Sequence, residues 1–554
     1  MKSLALIVWF LFTAFTVSVN VVMKNGDVIT GITQNDVESY RGIPFVEKPV
    51  GNLRFKPSVP YQGSLNGFQA THFGNPCHCL DSYEIMDYLA KLVPFAGWSS
   101  NPKYLNSEQS EDCLRLNVYR PTGLSRNAKL PVMVWVYGGA FQFGSTMLYP
   151  GDRFIQDSVE LNEPVIYVSL SYRVGPWGFL GGYGIGAENS TNAAMWDLIN
   201  GFKWIKENIE AFNGDKNRIT AFGESSGAML LSHLMITKVF KQDPLFNAVI
   251  LQSGGLLPLS HAVTSQSSNK LFWKFSNAAG CQHEGNQTEA LACLRQKNSK
   301  VLARAHMYDH SLRNSFDFAT LFTVWGPKPD GILWDENSFV AAQNLVDIPI
   351  IAGCLEDEGT LIAFAFLTTS TEKFANALHR IFPYARDILS SFLSMYPQNP
   401  AEGAPFRTGP HNELWPNFKW LSAILTDLIF TMPRRIMLKY GATPTRKSPL
   451  YTFFADPLHN RLPFLGSTHY SDISYQFYAT ESFPSNAYRK YFISFANHYN
   501  PNTNNGGLQW WPLYDDKEKL MLHIGRDSGD IIQDTFRGDR TDFAMRNLSF
   551  WETY

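Results

Sequence analysis

A serine flanked by glycines occupies residues 223–227, which read Gly-Glu-Ser-Ser-Gly. An apolar run at 219–222 precedes it and a helical pattern follows from Ala228, so this G-x-S-x-G motif falls on a turn between a strand and a helix. Such a turn presents the serine hydroxyl at its tip, and the glycines leave room where strand and helix meet. The motif predicts nucleophilic attack by Ser225 on a carbonyl carbon, with an ordinary strand-to-helix turn as the alternative.

A tetrahedral intermediate needs hydrogen-bond donors aimed at its negative oxygen. Upstream, the apolar run 132–136 leads into residues 137–141, Tyr-Gly-Gly-Ala-Phe. The small residues Gly139 and Ala140 allow backbone N–H groups to face that oxygen, together with the N–H of Ser226. The alternative is that the glycines only end a strand.

The serine also needs a base. In the α/β-hydrolase fold, which carries this type of serine turn, the chain order is serine, acid, histidine. Three carboxylates follow the apolar run 348–351: Glu356, Asp357 and Glu358. Two histidines follow the late apolar run 450–454 closely: His459 and His469. The pattern of residues leaves all three acids and both histidines open.

The elements that must position these residues are visible as alternating patterns. Short apolar runs alternate with longer helical patterns at 132–136, 165–170, 219–222, 248–251, 348–351 and 450–454. This alternation is typical of βαβ units and a mostly parallel sheet. Residues 193–209 have the spacing of a helix with one apolar face, and 360–440 are mainly helical in pattern. We expect an α/β fold with a central, mostly parallel sheet flanked by helices, in a single domain over 20–554.

The composition is that of a folded protein with a large core. Of 554 residues, 17% are charged and 14% are aromatic, including 41 Phe, whereas disordered chains have few aromatics and much charge. The net charge of −2 provides no electrostatic basis for binding nucleic acid or an anionic membrane. We exclude both as principal partners.

The N-terminus is typical of a secretory signal peptide. Lys2 precedes an apolar run from Leu4 to about Val17, followed by small and polar residues. The run is short for a membrane span, which needs about 20 residues, although a signal anchor is the alternative. We assign residues 1–19 to the signal peptide and expect a secreted, extracellular protein without a stable membrane anchor.

Secretion permits disulfide bonds, and the chain has six cysteines: Cys77, Cys79, Cys113, Cys281, Cys293 and Cys354. Cys281 and Cys293 lie close enough in the chain for a local loop. Cys113 could close a longer loop with Cys77 or Cys79. No second Cys/His pair accompanies residues 77–79, Cys-His-Cys, so we expect no zinc site.

Three sequons are compatible with glycosylation of a secreted surface. We expect modification at Asn286 and Asn547, whereas Asn189 lies in a Gly-rich stretch that we expect to be less accessible. Within that stretch, residues 182–187 have glycines at the spacing of a dinucleotide motif. No clear helix follows and no acidic residue ends a second strand at the right distance, so we expect no nucleotide site.

The loop between Cys77 and Cys113 contains an amphipathic helical pattern at 82–93. Its apolar face consists of Ile85, Leu89, Leu92 and Val93. We interpret this segment as a lid that shields an apolar site in water and turns its apolar face to lipid. The alternative is a helix packed permanently on the core.

Further stretches accompany the serine turn in a fixed order: 137–144, 171–180, 251–254, 356–360, 402–409, 465–469 and 491–497. Together they resemble the type-B carboxylesterase/lipase family, and most closely its branch of Geotrichum candidum and Candida rugosa lipases. The resemblance covers nearly the whole chain after the signal peptide. It implies an α/β-hydrolase fold with a lid loop.

The resemblance also implies roles for individual residues. It implies Ser225 as nucleophile, Glu358 as acid and His469 as base, with oxyanion donors from Gly139, Ala140 and Ser226. Ser253 resembles a serine that supports the acid. The implied disulfides are Cys77–Cys113 and Cys281–Cys293, which leaves Cys79 and Cys354 outside disulfides. Three positions depart from the family pattern. Ser226 replaces the usual Ala, Tyr470 replaces a common Gly, and Cys79 is an extra cysteine that leaves Cys77 or Cys79 open as the partner of Cys113.

The function that this resemblance implies is a secreted serine ester hydrolase, a triacylglycerol lipase that releases fatty acids through an acyl-enzyme. Its substrate would be a lipid ester at an oil-water interface, and we expect no cofactor, no metal and a monomer or weak dimer. A carboxylesterase for small soluble esters is the alternative. A cholinesterase-like, non-catalytic adhesion or binding protein is a further alternative, although such relatives lose a triad member.

Overall fold

A computed structural model describes the chain over residues 17–79, 107–256, 262–283, 285–309, 325–335, 338–365, 370–382, 385–478, 481–504, 506–548 and 551. The predicted lid helix at 82–93 and most of the predicted signal peptide lie outside these residues. The first strand begins at Val17, so the last three residues assigned to the signal peptide are in a strand in this structure.

Thirteen strands of the described residues form one sheet. Their bounds are β1 Val17–Val22, β2 Val28–Gln34, β3 Val37–Pro44, β4 Phe68–Gln69, β5 Arg115–Pro121, β6 Leu130–Val136, β7 Ile166–Leu170, β8 Gly214–Glu224, β9 Ala248–Gln252, β10 Ile350–Leu355, β11 Leu450–Ala455, β12 Leu520–Ile524 and β13 Gly529–Gln533. The spatial order is β1-β2-β3-β5-β7-β6-β8-β9-β10-β11-β12-β13, with β4 beside β2. The run of neighbours β7-β6-β8-β9-β10-β11-β12 is parallel throughout. At its two ends, β5 pairs antiparallel with β7 and β13 pairs antiparallel with β12.

The α-helices of the described residues pack around this sheet. They are α1 Asp152–Glu160, α2 Gly175–Phe179, α3 Tyr183–Ala187, α4 Ala193–Asn208, α5 Ser226–Leu234, α6 Lys238–Gln242, α7 Gln266–Ala278, α8 Gln287–Gln296, α9 Ser299–Asp309, α10 Ser338–Ala341, α11 Gly359–Ala365, α12 Thr371–Ile381, α13 Arg386–Ser394, α14 Phe418–Thr426, α15 Met432–Gly441, α16 Ile473–Phe477, α17 Phe483–His498 and α18 Gly538–Arg546. Over the described ranges, no helix has the length and apolar character needed to cross a membrane.

The predicted α/β fold is confirmed. All six predicted strands form, and their continuous apolar sequences reflect burial on both faces of the sheet, as β7 and β9 show. Helix α4 spans 193–208 of the predicted 193–209, and the described residues between 360 and 440 are mainly helical. Strand β10 begins two residues later and ends four residues later than predicted. Its last part was not predicted because Ala352 and Gly353 are residue types that are depleted in strands, although pairing with β9 and β11 holds them extended.

Seven strands were not predicted, namely β1 to β5, β12 and β13. They lie toward the two edges of the sheet and are mostly antiparallel, where one face meets solvent and the apolar pattern is interrupted by polar residues. This difference does not affect the centre of the sheet. There, the carboxyl ends of β6, β8, β10 and β11 lie along one edge, and the loops that follow them meet.

Candidate active site

Ser225 lies alone between β8 and α5, at the tip of a sharp turn. Its backbone has φ 56° and ψ −128°, a combination that is strained for a residue with a side chain. A Cβ atom on Gly223 would lie 2.6 Å from the carbonyl oxygen of Val136, and one on Gly227 would lie 2.1 Å from the same oxygen. Both glycines are therefore required by the close approach of β6.

A continuous line of hydrogen-bonded side chains leads from this serine. The Oγ atom of Ser225 lies 2.8 Å from Nε2 of His469, in the loop after β11. On the other side of the imidazole, Nδ1 lies 2.6 Å from Oε2 of Glu358, which is fully buried in the loop after β10. The second carboxylate oxygen of Glu358 accepts a hydrogen bond from the backbone N–H of Leu355 at 2.8 Å. Since a carboxylate only accepts, Nδ1 carries the proton and Nε2 can accept the serine proton.

The remaining acids and the other histidine have different partners. Glu356 accepts two hydrogen bonds from the guanidinium of Arg407, at 2.6 and 2.8 Å, and lies 3.0 Å from Nδ1 of His459. The side chain of Asp357 is fully buried. Among the described residues, its hydrogen-bond donors are the backbone N–H groups of Phe406 and Ser467. Both candidate histidines therefore pair with an acid of the same loop, but only His469 reaches Ser225.

The glycine turn after β6 packs directly against the serine. A Cβ atom on Gly138 would lie 2.9 Å from Cβ of Ser225. The backbone has φ 126° at Gly139 and φ 51° at Ala140, and the carbonyl oxygen of Gly139 accepts hydrogen bonds from two following N–H groups. Within the part of the chain that the structure describes, the backbone N–H groups of Gly139, Ala140 and Ser226 have no hydrogen-bond acceptor. These donors can serve a substrate oxygen.

Two buried carboxyl groups beside His469 were not found by sequence reasoning. Glu224 is fully buried, and its Oε1 atom lies 3.3 Å from Nε2 of His469. Burial raises the pKa of Glu224 well above its ordinary value, and the neighbouring Asp472 and Glu358 raise it further. Burial, and then Glu358, raise the pKa of Asp472 to about 7. The sequence signal that could have identified Glu224 was its position next to Ser225 within the motif.

Two residues singled out by the resemblance have unusual backbones. Ser253 follows β9, is buried and has φ 50°, but its hydroxyl forms no hydrogen bond with Glu358, so its supporting role stays a prediction. Tyr470 has φ 72°, in the left-handed region that favours glycine. Its hydroxyl lies 3.0 Å from that of Tyr149, which connects the histidine loop to the segment after β6.

The two expected disulfides, Cys77–Cys113 and Cys281–Cys293, are present. Cys77, and not Cys79, is the partner of Cys113. Within the described ranges, no group of three or more His, Cys, Asp and Glu side chains is arranged to hold a metal ion.

The glycine-rich stretch 182–187 does begin a helix, the five-residue α3, contrary to the sequence interpretation. Gln287, the first residue of α8, packs against the start of α3. Its side-chain oxygen accepts a hydrogen bond from the N–H of Gly184 at 2.8 Å. The glycines therefore allow close packing on α8. Asn189 and Asn286 are exposed and Asn547 is half-buried, so accessibility does not set Asn189 apart as expected. Glycosylation stays a prediction.

Residues 18–544 match the sequence model of the carboxylesterase family, and the chain belongs to this family of carboxylic ester hydrolases. It is 41% identical over 554 residues to Lipase 1 of Geotrichum candidum, covering 96% of this chain and 95% of that protein. It is 35% identical over 537 residues to Lipase 4 of Diutina rugosa, covering 91% and 93%. A third relative, named secreted triacylglycerol lipase LIP1, from Gibberella zeae, is 30% identical over 543 residues, covering 96% and 90%.

Among solved structures, Aspergillus niger EstA superposes with a TM-score of 0.75 at 22% identity, covering 95% of this chain and 96% of that chain. This similarity supports the fold. The sequence comparisons confirm the resemblance to the type-B carboxylesterase/lipase family.

Proposed function

We propose that Ser225, His469 and Glu358 form a catalytic triad that hydrolyses carboxylic esters through an acyl-enzyme. The observation that carries this proposal is the unbroken line of hydrogen bonds, 2.8 Å from serine to imidazole and 2.6 Å from imidazole to carboxylate. The strained turn at Ser225 and the backbone N–H donors beside it, which have no hydrogen-bond partner among the described residues, support a nucleophile position and an oxyanion site.

In the first half of the reaction, Oγ of Ser225 attacks the ester carbonyl carbon while Nε2 of His469 takes the hydroxyl proton. The carbonyl oxygen becomes negative and is held by the N–H groups of Gly139, Ala140 and Ser226. As the ester C–O bond breaks, the imidazolium gives its proton to the departing alcohol oxygen. The acyl group remains on the serine.

In the second half, His469 takes a proton from a water molecule, whose oxygen attacks the acyl carbon. The bond to Oγ breaks, the histidine returns its proton to Ser225, and the carboxylic acid is released. Through both halves, Glu358 holds the imidazole in one tautomer and stabilises its positively charged form.

The test is Ser225→Ala, assayed with a soluble chromogenic ester and with a fluorescent organophosphate. We expect kcat to fall by roughly 10⁶-fold, the scale seen when the nucleophile of a serine hydrolase is removed, and covalent labelling to disappear. Ser232→Ala, in helix α5, is the matched control, because the Ser232 hydroxyl donates to the carbonyl oxygen of Met229, and this variant should keep both activity and labelling. Persistent labelling of a folded Ser225→Ala protein would refute the assignment.

The substrate class that we propose is triacylglycerols presented at an oil-water interface. Its support is the naming of the related proteins as lipases, including a triacylglycerol lipase. The competing candidate is a soluble short-chain ester, because the proposed triad would hydrolyse either ester by the same mechanism. Hydrolysis of tributyrin and triolein should be compared: activity that does not rise past the solubility limit of tributyrin, or untouched triolein, would overturn the lipase assignment.

We also propose that the protein is secreted, in keeping with the relative named a secreted lipase and with two disulfide bonds. Mass spectrometry of the mature N-terminus, after expression in a secreting yeast, tests this. Removal of residues 1–19 would shorten β1, whereas cleavage before Val17 would keep it whole. An uncleaved, cell-retained protein would contradict secretion.

A further inference from the structure

The loop of Glu358 and the loop of His469 are joined by hydrogen bonds in which neither of these side chains takes part. The N–H of Ser467 donates to Oδ2 of Asp357 at 2.9 Å, and the N–H of Asp357 donates to the carbonyl oxygen of Ser467 at 3.1 Å. The residues next in sequence on each side are Glu358 and Thr468. The two loops therefore run side by side and parallel, one residue before Glu358 and two residues before His469.

The carboxylate of Asp357 is held from two directions. Its other oxygen, Oδ1, accepts a hydrogen bond from the backbone N–H of Phe406 at 2.8 Å. The side chain is fully buried, and a Cβ atom on Gly466 would lie 2.0 Å from Oδ2. The main chain of the histidine loop therefore lies directly on this carboxylate, and no larger residue than glycine fits there in this conformation.

A second contact continues the junction beyond the triad residues. Oγ1 of Thr468 accepts a hydrogen bond from the N–H of Leu361 at 3.1 Å and lies 2.8 Å from Oγ1 of Thr360. The Thr360 hydroxyl also lies 2.6 Å from the carbonyl oxygen of Leu465. We call Asp357, Thr360 and Thr468, with the backbone groups they bind, the loop clamp.

The imidazole of His469 must meet two atoms at once, an oxygen of Glu358 and Oγ of Ser225. Its single hydrogen bond to Glu358 fixes one end of the ring, but the position of the whole ring depends on the backbone of residues 467–469. That backbone is fixed against the acid loop by the loop clamp. A displacement of about 1 Å in a reacting group can cost about 10²-fold in rate.

We infer that Asp357 is a positioning residue for the proposed reaction, which holds the histidine loop in register with the acid loop so that His469 spans Glu358 and Ser225. The inference rests on the proposed triad. Asparagine at 357 has almost the same shape, but its amide nitrogen would face one of the two backbone N–H donors. One of the two bonds is then lost and two donors oppose each other.

The experiment compares Asp357→Asn with Asp330→Asn. Asp330 is a matched control, because its carboxylate also accepts backbone hydrogen bonds, from Ile332 at 2.9 Å and Leu333 at 2.7 Å, but lies outside both loops. Folded protein is confirmed by circular dichroism and thermal unfolding. Competent sites are counted by exhaustive labelling with a fluorescent organophosphate, and kcat and KM are measured on a soluble chromogenic ester.

For Asp357→Asn we expect kcat per labelled site to fall by about 10- to 100-fold with KM within about threefold, and organophosphate labelling to slow in parallel. For Asp330→Asn we expect a lower Tm with kcat unchanged. If Asp357→Asn lowers Tm but leaves kcat per site within twofold, its role is structural only and the inference is overturned.

If Asp357→Asn does not fold, Thr468→Val decides the question, because it removes one hydroxyl of the loop clamp without a change of shape. We expect a several-fold fall in kcat with unchanged KM, and an unchanged kcat overturns the inference. The proposed function fails separately, through a Ser225→Ala protein that is still labelled.

Discussion

The serine side and the acid-histidine side of the site are built in different ways. On the serine side, the turns at 138–140 and 223–227 follow two adjacent strands, and their shape depends on glycines that let main chains approach. On the other side, His469 and Glu358 are 111 residues apart, and hydrogen-bonding side chains hold their two loops together. Steric clashes should therefore disrupt the first side, and lost hydrogen bonds the second.

The largest expected effect after loss of the nucleophile is on the acid. Glu358→Gln keeps the shape of the side chain but gives the imidazole a partner that no longer stabilises its positive charge or fixes one tautomer, so kcat should fall by roughly 10⁴-fold. Glu356→Gln is the matched control in the same loop, because Glu356 faces Arg407 and His459. Steady-state kinetics measure both, and an equal loss in both variants would contradict the choice of acid.

A smaller effect is expected from a clash on the serine side. In Gly139→Ala the new Cβ would lie 2.1 Å from the carbonyl oxygen of Phe143, at a φ of 126°. The turn must shift and its N–H donor moves, so kcat should fall by about 10²- to 10³-fold. Gly123→Ala, at a positive φ with open space around it, is the control and should keep wild-type activity. Similar kcat values in both variants would argue against an oxyanion role.

A titration effect is expected on the histidine side. Burial and Glu358 raise the pKa of Asp472 from 3.8 to about 7, so the folded protein binds a proton there that the unfolded chain has lost above about pH 4. This group contributes most to the free energy of unfolding below pH 3.8. Its contribution decreases as the pH rises toward 7, by up to about 1.4 kcal/mol per pH unit.

Asp472→Asn removes this titration while its amide oxygen can still accept the hydrogen bond from Gln252. Urea unfolding at pH 5 and pH 7 should show a smaller loss of stability with rising pH in the variant than in the wild type. Equal slopes would mean that Asp472 has an ordinary pKa in the folded protein.

The smallest effect is expected from the other histidine. His459 pairs with Glu356 and not with Ser225, so His459→Asn should change kcat by no more than about twofold, equivalent to about 0.4 kcal/mol. The same ester assay measures it. A loss of kcat as large as that of His469→Asn would contradict the assignment of His469 as the base.

The serine side could be predicted from sequence because each of its parts is local. A strand, a glycine-bounded serine and a helix follow one another within a few residues, and the glycines after β6 end a continuous apolar run. The fold class followed from the same alternation. The edge strands were missed because their apolar pattern is weak.

The acid-histidine side could not be resolved from the residue pattern. Three consecutive carboxylates point in three directions, toward Arg407 and His459, toward backbone N–H groups, and toward His469. Which carboxylate lies on the serine side depends on how two loops that are distant in sequence pack together. A search for any hydrogen-bonded acid and histidine would have accepted Glu356 with His459 as well. Only the resemblance selected Glu358 and His469, and no signal in the sequence pointed to the role inferred for Asp357.

The separation of 244 residues between Ser225 and His469 also sets the order in which the site is completed during synthesis. The serine turn needs only β6, β8 and β9, which end at Gln252, so it can form while more than half of the chain is still to be made. The base arrives only when residue 469 has left the ribosome. A growing chain therefore carries the proposed nucleophile without the proposed base while the 244 residues that separate them are made, and any product that stops before this point lacks a complete triad.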